Sequence, residues 1–325
     1  MKKAFKMFCG LFMFMALVVP FSGVNAINVD DIGGKVTSKN EDGVWHLTLN
    51  GDDKQDLEII SGETVVLDLN GFTLTNFADG CSTIWVKSGG TLTIVDSKGN
   101  GAIKKLNASG APVVNNEGTL TVEAGTISSK GEKSAALLNS GTLTVSGGTI
   151  TAEEDNVFGL VNEGTAVING GNFVQAHNFS VVNNANKMEI KDGNFTVEDG
   201  NTGAYSLITN QGSTNNATLE VNGGTFKANK GVFYNDGEDE ITVSGGTYSH
   251  DVSAYLADGF EIKEENGEFV LVEETTTSET PKDENEPTQT TETVENPKTN
   301  DSILLVLGTL AVSGVVAFVA KRKLS

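Results

Sequence analysis

The stretch LLNSGTLTVSGGTITAE, from Leu137 to Glu153, returns about 23 residues later as LVNEGTAVINGGNFVQA, from Leu160 to Ala176. Asn, Gly and apolar residues are kept at matching positions, whereas much of the rest changes. Repetition with a period of roughly 20–50 residues is typical of solenoids and related folds, in which each unit covers the apolar side of its neighbour.

Each repeat contains three short apolar segments. The first alternates, as in TLTV at Thr119–Val122 and again at Thr142–Val145, which predicts a strand with one buried face. A Gly-containing turn follows, then one apolar residue, then a short apolar run that ends in Asn. Three strands and three turns per repeat predict an all-β chain whose residues 61–248 form a right-handed parallel β-helix, a solenoid of about eight rungs.

Equivalent side chains of successive rungs are expected to stack. Leu120, Leu143 and Leu219 should form one core ladder, and Phe173, Phe195 and Phe226 another. The second residue of each Gly turn is predicted to adopt positive φ, at Gly71, Gly101, Gly125, Gly148, Gly171, Gly193, Gly224 and Gly246. The Asn residues at another corner are expected to tolerate left-handed conformations and to form amide ladders. Residues 27–60 and 249–272 are predicted to cap the two open ends.

The first 26 residues carry the pattern of a secretory signal peptide. Lys2, Lys3 and Lys6 make the start basic, an apolar stretch runs from Met7 to Val19, and small residues precede the predicted cleavage after Ala26. The apolar stretch is short for the ~20 residues that a membrane-spanning helix requires. Residues 1–26 are therefore predicted to be removed, which places the bulk of the chain outside the cell.

The C-terminal end combines a predicted stalk with a predicted anchor. Residues 273–302 are rich in Thr and Glu and almost lack apolar residues, so they are expected to form an extended, disordered stalk. Residues 303–320 carry no charge and are predicted to form a transmembrane helix. Residues 321–325 begin with Lys-Arg-Lys and are predicted to be a cytoplasmic tail by the positive-inside rule.

A pentapeptide precedes the apolar segment: Asn296, Pro297, Lys298, Thr299 and Asn300. This order of pentapeptide, apolar helix and basic tail resembles the sortase cell-wall sorting signal of Gram-positive bacteria, in its LPxTG and NPxTG forms. Pro297 and Thr299 match that motif, whereas Asn296 stands where Leu is commonest and Asn300 where the family has Gly. The resemblance implies cleavage after Thr299, with sortase and peptidoglycan as partners and membrane contact only through the C-terminal helix. A plain single-span membrane anchor is the alternative.

The repeats over residues 60–250 resemble the pectin-lyase-like β-helix repeats of many Gram-positive surface proteins. SGETVVLDLNGFTLTN, from Ser61 to Asn76, looks like the entry coil of those proteins, and SGGTYSHDVSAYLADGFE, from Ser244 to Glu261, is similar to their exit segment. Enzymes on that fold are polysaccharide lyases with an Arg or Lys base, and hydrolases with two or three carboxylates. Arg322 in the tail is the only Arg of the chain, so an Arg base is excluded from the rod and a Lys base is not.

Composition narrows the classes of partner. The formal net charge of −21 argues against nucleic acid and anionic lipid, because both need clustered cations. His46, His177 and His250 are too scattered for a zinc site, so no metal and no other cofactor is predicted. Of the two Cys residues, Cys9 lies in the predicted signal peptide, and Cys81 alone cannot form a disulfide framework.

The turns between the second and third strands vary most in length and content, and their stacking predicts a polar flank. An aromatic ring with carboxylates on a rigid rod can bind sugar by ring stacking and hydrogen bonds; a solvated loop edge is the alternative. The candidate ligand residues are Lys133, Glu153, Glu154, Asp155, His177 and Tyr205. Thr119, Thr121, Thr142 and Thr144 form a regular outward face that could template a repeating ligand; the alternative is that Thr is common on exposed strands simply through its β preference.

The sequence thus predicts a monomeric, wall-anchored surface protein of a Gram-positive cell, an adhesin or a binder of host or microbial glycans. No catalytic residue is assigned and enzyme activity is not expected. One alternative is a wall-bound polysaccharide lyase or hydrolase, which requires convergent carboxylates and a Lys on consecutive rungs. The other is a structural spacer without a ligand.

Overall fold

The computed structural model describes residues 34–76, 80–105, 110–129, 135–153, 157–176, 179–198, 205–212, 217–235 and 239–274. Over these residues the chain winds into a right-handed parallel β-solenoid of eight rungs, which confirms the predicted fold class of this part. A single 3₁₀ turn at Ser253–Tyr255 is the helical element of the described part. The predicted signal peptide, stalk, sorting motif and transmembrane helix lie outside the described residues.

One side of the solenoid is an eight-stranded parallel sheet, here called sheet A. Its strands are β4 (Leu57–Ile59), β7 (Ile84–Val86), β10 (Val114–Asn116), β13 (Leu137–Asn139), β16 (Leu160–Asn162), β18 (Val182–Asn184), β20 (Ile208–Asn210) and β23 (Phe233–Asn235). Each strand is three residues long, and the outer two point to the core while the middle one points outward.

The second side, face B, is built from the alternating TLTV-type segments. Its strands are β2 (Val44–Leu49), β5 (Thr64–Asp68), β8 (Thr91–Val95), β11 (Thr119–Val122), β14 (Thr142–Val145), the first halves of β17 (Thr165–Gln175) and β19 (Lys187–Val197), β21 (Thr218–Val221) and β24 (Glu240–Val243). Buried and outward residues alternate, as the period of two predicts.

The third side, face C, follows the Gly turns. Its strands are β3 (Asp53–Lys54), β6 (Thr73–Thr75), β9 (Ala102–Lys104), β12 (Thr126–Ser129), β15 (Thr149–Ala152), the second halves of β17 and β19, β22 (Thr225–Lys227) and β25 (Thr247–Tyr248). In β17 and β19 the strand continues through the Gly turn with a register shift after Ile168. Faces B and C therefore belong to one hydrogen-bonded sheet.

Core side chains stack from rung to rung as the repeat predicts. Leu120 is paired in register with Leu143, and the ladder continues through Ala166 and Met188 to Leu219. Phe173, Phe195 and Phe226 are fully buried and stack with centroid distances of 4.6 and 4.7 Å. These rings are core residues and offer no surface to a ligand.

The Asn residues that end the strands of sheet A form a buried amide ladder. It runs through Asn116, Asn139, Asn162, Asn184, Asn210 and Asn235. Each side-chain Nδ2 donates to the Oδ1 of the next rung, over 2.6 to 3.0 Å. The predicted ladder is confirmed, but none of these Asn residues has positive φ, so their expected left-handed conformation is wrong. The amide bonds, and not backbone freedom, explain Asn at this corner.

Seven of the eight predicted Gly turns place their second Gly at positive φ. The exception is Gly101, because in that rung Gly99 and Asn100 take the left-handed conformation instead. A Cβ on Gly101 would lie 2.6 Å from the Cβ of Leu69, so this position requires Gly for space and not for φ. Gly at the second position of the turn therefore provides positive φ in seven rungs and space for Leu69 in the rung of Gly101.

Both ends of the solenoid are closed by antiparallel hairpins. At the N-terminal end β1 (Val36–Glu41) pairs with β2, and β2, β3 and β4 together make the first rung. At the C-terminal end β26 (Phe260–Glu265) pairs with β27 (Glu268–Glu273), and β27 also pairs with β25. The hydrophobic core and both hairpins lie within residues 34–274, so this unit carries the packing it needs to fold by itself.

Candidate functional site

One flank of the solenoid is formed by the loops that connect face C to sheet A. The loop of the first rung is only Gln55 and Asp56, whereas those of later rungs are longer. We call the side formed by the longer loops, from β6–β7 to β22–β23, the variable flank. It is the flank on which the sequence places the candidate ligand residues.

The structure locates part of the predicted site. Glu153 and Tyr205 lie within the described residues, in loops of the variable flank. The other four candidates lie outside the described residues: Lys133, Glu154, Asp155 and His177.

Three aromatic side chains, here called the aromatic row, follow one another on the variable flank: Phe158, Phe179 and Tyr205. The ring centroids of Phe158 and Phe179 are 4.4 Å apart, and those of Phe179 and Tyr205 are 5.1 Å apart. The rings are inclined by 58° and 63°, a favourable geometry for aromatic pairs. Tyr205 is 41% exposed, so it is the ring of the row that is most open to a ligand.

Hydrogen bonds fix the loop that carries Phe179. The buried Gln175 donates from Nε2 to the carbonyl oxygen of Phe179 over 2.6 Å. The next residue, Ser180, is 3% exposed, and its hydroxyl lies 2.8 Å from the hydroxyl of Thr209 on sheet A. The loop that carries Phe179 is therefore held to face C by Gln175 and to sheet A by Thr209. The Phe179 ring in turn packs against Tyr205.

Phe158 and Phe179 were not predicted as site residues, although the sequence carries a signal for them. Each aromatic residue stands two or three positions before a strand of sheet A, in FGLVN, FSVVN and YSLITN. Earlier rungs have Ala111 and Ala135 near this position. Reading the column across rungs, and not each loop alone, would have identified the row.

Glu153 belongs to a separate cluster at the start of its loop. Its Oε1 accepts a hydrogen bond from the Ser128 hydroxyl over 2.8 Å and lies 3.6 Å from the Lys104 ammonium. Lys104, Ser128 and Glu153 come from consecutive rungs, as the enzyme alternative requires. The cluster has one carboxylate, however, whereas most glycoside hydrolases use a pair.

Trp85 occupies the outward position of its strand in sheet A, next to Glu58 of the preceding rung. The Lys87 ammonium lies 2.8 Å from the Trp85 ring centroid and 3.1 Å from the Glu58 carboxylate. This cation–π contact covers the ring. Trp85 is therefore a poor stacking surface for a ligand, and its role is packing.

A buried lysine lies where the variable flank begins. Lys105 is 2% exposed, and its ammonium donates to the carbonyl oxygen of Ala111. Burial lowers the pKa of Lys105 to about 8, although the charges of Cys81 and Asp56 act in the opposite direction. Burial, assisted by Asp56, raises the pKa of the Cys81 thiol. The Lys105 amine is therefore largely neutral at mildly alkaline pH.

Neither a metal cluster nor a membrane helix is found in the described part of the chain. No three His, Cys, Asp or Glu side chains there are grouped so that they could hold a metal ion. No helix of those residues is long and apolar enough to cross a membrane.

No protein-family model, no curated protein and no solved structure matches this chain.

Proposed function

We propose that this chain is a surface β-helix protein that binds glycans through the aromatic row of its variable flank. The observation that carries the proposal is the exposed ring of Tyr205, supported by Phe179 at 5.1 Å. Aromatic faces bury the apolar side of a sugar ring, and polar groups beside them accept and donate hydrogen bonds. Glu198 supplies an exposed carboxylate on the same flank, and Asn183 an outward amide on sheet A.

The place of action is part of the same proposal. The signal-peptide pattern of residues 1–26 directs export, and the NPKTN motif at 296–300 with its apolar segment and basic tail anchors the chain to the Gram-positive cell wall. The Thr- and Glu-rich residues 273–302 hold the solenoid away from the wall. An adhesin needs this arrangement, because its binding surface must reach past the wall polymers.

A glycan array tests the proposed function, with the purified fragment of residues 27–275. We expect binding to one class of glycan, and its loss in Tyr205→Ala, with Tyr205→Phe retaining most of it because the ring face remains. Ile60→Ala is the matched control, since Ile60 is 40% exposed and lies at the other end of the solenoid. Absence of glycan binding by the folded native fragment would refute the proposal and favour the spacer.

The enzyme alternative has one observation in its favour, the Lys104, Ser128 and Glu153 cluster on consecutive rungs. In that case incubation of the fragment with bacterial and plant polysaccharides releases new reducing ends or unsaturated sugars. Glu153→Gln then abolishes turnover, whereas Tyr205→Ala affects only substrate affinity. Glycan binding without any product supports the adhesin instead.

A further inference from the structure

Face B presents a regular array of threonine side chains over five consecutive rungs, here called the Thr face. Its first row contains Thr64, Thr91, Thr119, Thr142 and Thr165, and its second row contains Thr93, Thr121 and Thr144. Within each row, successive Thr residues are paired in register from rung to rung, without a bulge. Sheets with such in-register side-chain ladders are the ones that remain flat.

The hydroxyl groups of the Thr face are not used inside the protein. Elsewhere in the described chain, Thr75, Thr83 and Thr151 donate to backbone carbonyls. None of the eight hydroxyls of the Thr face forms a hydrogen bond with another residue of the described part. Thr119, Thr142 and Thr165 are exposed and the other five Thr residues are partly exposed, so the hydroxyl and methyl groups of this array contact solvent.

The two rows of the Thr face contain no charged residue, in a chain of net charge −21. Its remaining outward positions in the two rows are Val66 and Val167. Along the two rows, charges begin at the next rung, with Lys187 and Glu189, and Glu220 and Glu240 follow. Beside the second row, Asp68 and Glu123 are outward carboxylates two positions further along their rungs. The two rows are therefore a neutral strip within an acidic surface, which favours an uncharged partner.

The spacing of the Thr face is close to that of ice, which is an uncharged lattice of hydrogen-bonding groups. Strands are ~4.8 Å apart and alternate residues along a strand ~6.7 Å apart. In tetrahedrally bonded ice, oxygens ~2.75 Å from their neighbours lie ~4.5 Å from second neighbours and repeat every ~7.3 Å along the hexagonal axis. In each of the two directions the Thr spacing and the ice spacing differ by about a tenth or less, a difference that rotation of the Thr side chains can accommodate.

We propose that the Thr face is an ice-binding surface. Its hydroxyls hold water at lattice positions, and its methyl groups occupy the gaps between those waters. Because the two rows carry no charge, they do not orient the bound water into the hydration shells that ions form, which differ from the ice lattice. The inference is independent of the proposed glycan binding, because the aromatic row lies on the variable flank and not on face B.

Ice-affinity partitioning tests the inference. The fragment of residues 27–275 is mixed with serum albumin and frozen slowly onto an ice surface, and the protein in ice and liquid is quantified. We expect the fragment to be enriched in the ice over albumin, and the enrichment to fall to the albumin level in Thr121→Lys, at the centre of the second row. Thr142→Lys, at an exposed position of the first row, is the second disruptive variant.

Thr242→Lys is the matched control. Thr242 continues the second row but lies beyond the Thr face, beside Glu220, and its variant should partition like the native fragment. Circular dichroism and the melting temperature establish that each variant is folded. No enrichment of the native fragment overturns the inference, and so does enrichment that both Thr121→Lys and Thr142→Lys leave intact. Retention on microcrystalline cellulose or chitin without enrichment in ice overturns it as well and assigns the array to polysaccharide.

Discussion

The side-chain amide nitrogen of Asn139 lies 2.7 Å from the amide oxygen of Asn162, one rung further along the solenoid. The amide nitrogen of Asn162 in turn donates to the Asn184 oxygen over 2.8 Å and to the backbone oxygen of Lys187 over 2.9 Å. Asn162 thus satisfies two acceptors and accepts from one donor at a fully buried position. The ladder ties the corner of every rung to the next.

Asn162→Ala should destabilise the solenoid by about 2–4 kcal/mol, because it removes one hydrogen-bond partner from each of three neighbouring polar groups, and a buried group left unsatisfied costs ~1–3 kcal/mol. Urea unfolding followed by circular dichroism measures the loss. Asn183→Ala is the control, since Asn183 points outward from the next strand of the same sheet and should cost less than about 1 kcal/mol. Equal losses in the two variants would contradict the role of the ladder.

Phe195→Ala should cost about 3–5 kcal/mol, because Phe195 stacks between Phe173 and Phe226 and its loss opens a cavity in the middle of the ladder. Phe195→Leu fills part of that space and should cost about half as much. The neighbouring outward Thr196 provides the control variant Thr196→Ala, with a change within about 0.5 kcal/mol. Thermal melting of the three variants ranks them; a Leu variant as unstable as the Ala variant would argue against simple cavity formation.

Gly164→Ala should be strongly destabilising, about 2 kcal/mol or more, because its Cβ would lie 2.2 Å from the carbonyl oxygen of Gly141 in the preceding rung. Gly110 has nothing within 4 Å of an added Cβ, so Gly110→Ala should be neutral or slightly stabilising. Urea midpoints of the two variants make the comparison. A tolerated Gly164→Ala would mean that the rungs can separate at this corner.

Stability should rise between pH 8 and pH 10.5 because of Lys105. Its pKa is lowered by burial to about 8 from 10.5, so over this interval the unfolded chain keeps a proton that the folded chain has lost. Stability increases with pH wherever the unfolded state binds more protons. The gain is at most about 3 kcal/mol, at ~1.4 kcal/mol per pKa unit, and below pH 8 the buried charge costs that amount.

Lys105→Met isolates this effect. At pH 7 the variant should be more stable than the native chain, and the difference should shrink as the pH approaches 10.5. Unfolding curves at pH 7, 8, 9 and 10 give the measurement, and Lys227→Met, at an exposed position of β22, is the control with no such trend. A stability difference that does not change with pH would mean that the lysine is paired and charged in the folded state.

The order of strands, the core and the amide ladder were predictable from the sequence, because in a solenoid they depend on contacts between residues about one repeat apart. A residue such as Leu120 meets Leu143 whatever the rest of the chain does, so the period and the alternation were enough to place both. The same argument identified Phe195 and its neighbours as core residues. It failed at Gly101, where local turn geometry moved the left-handed conformation to Gly99 and Asn100.

The candidate site depended on the tertiary structure, because loops of unequal length carry no fixed register from which contacts can be counted. Tyr205 could be named from the sequence, but the support of its ring by Phe179 follows only from the way two loops close against sheet A. The placement of Glu153 beside Ser128 and Lys104, and the burial of Lys105, arise in the same way. Repetition fixes what stacks along the rod, whereas packing of the irregular loops decides which side chains meet on its surface.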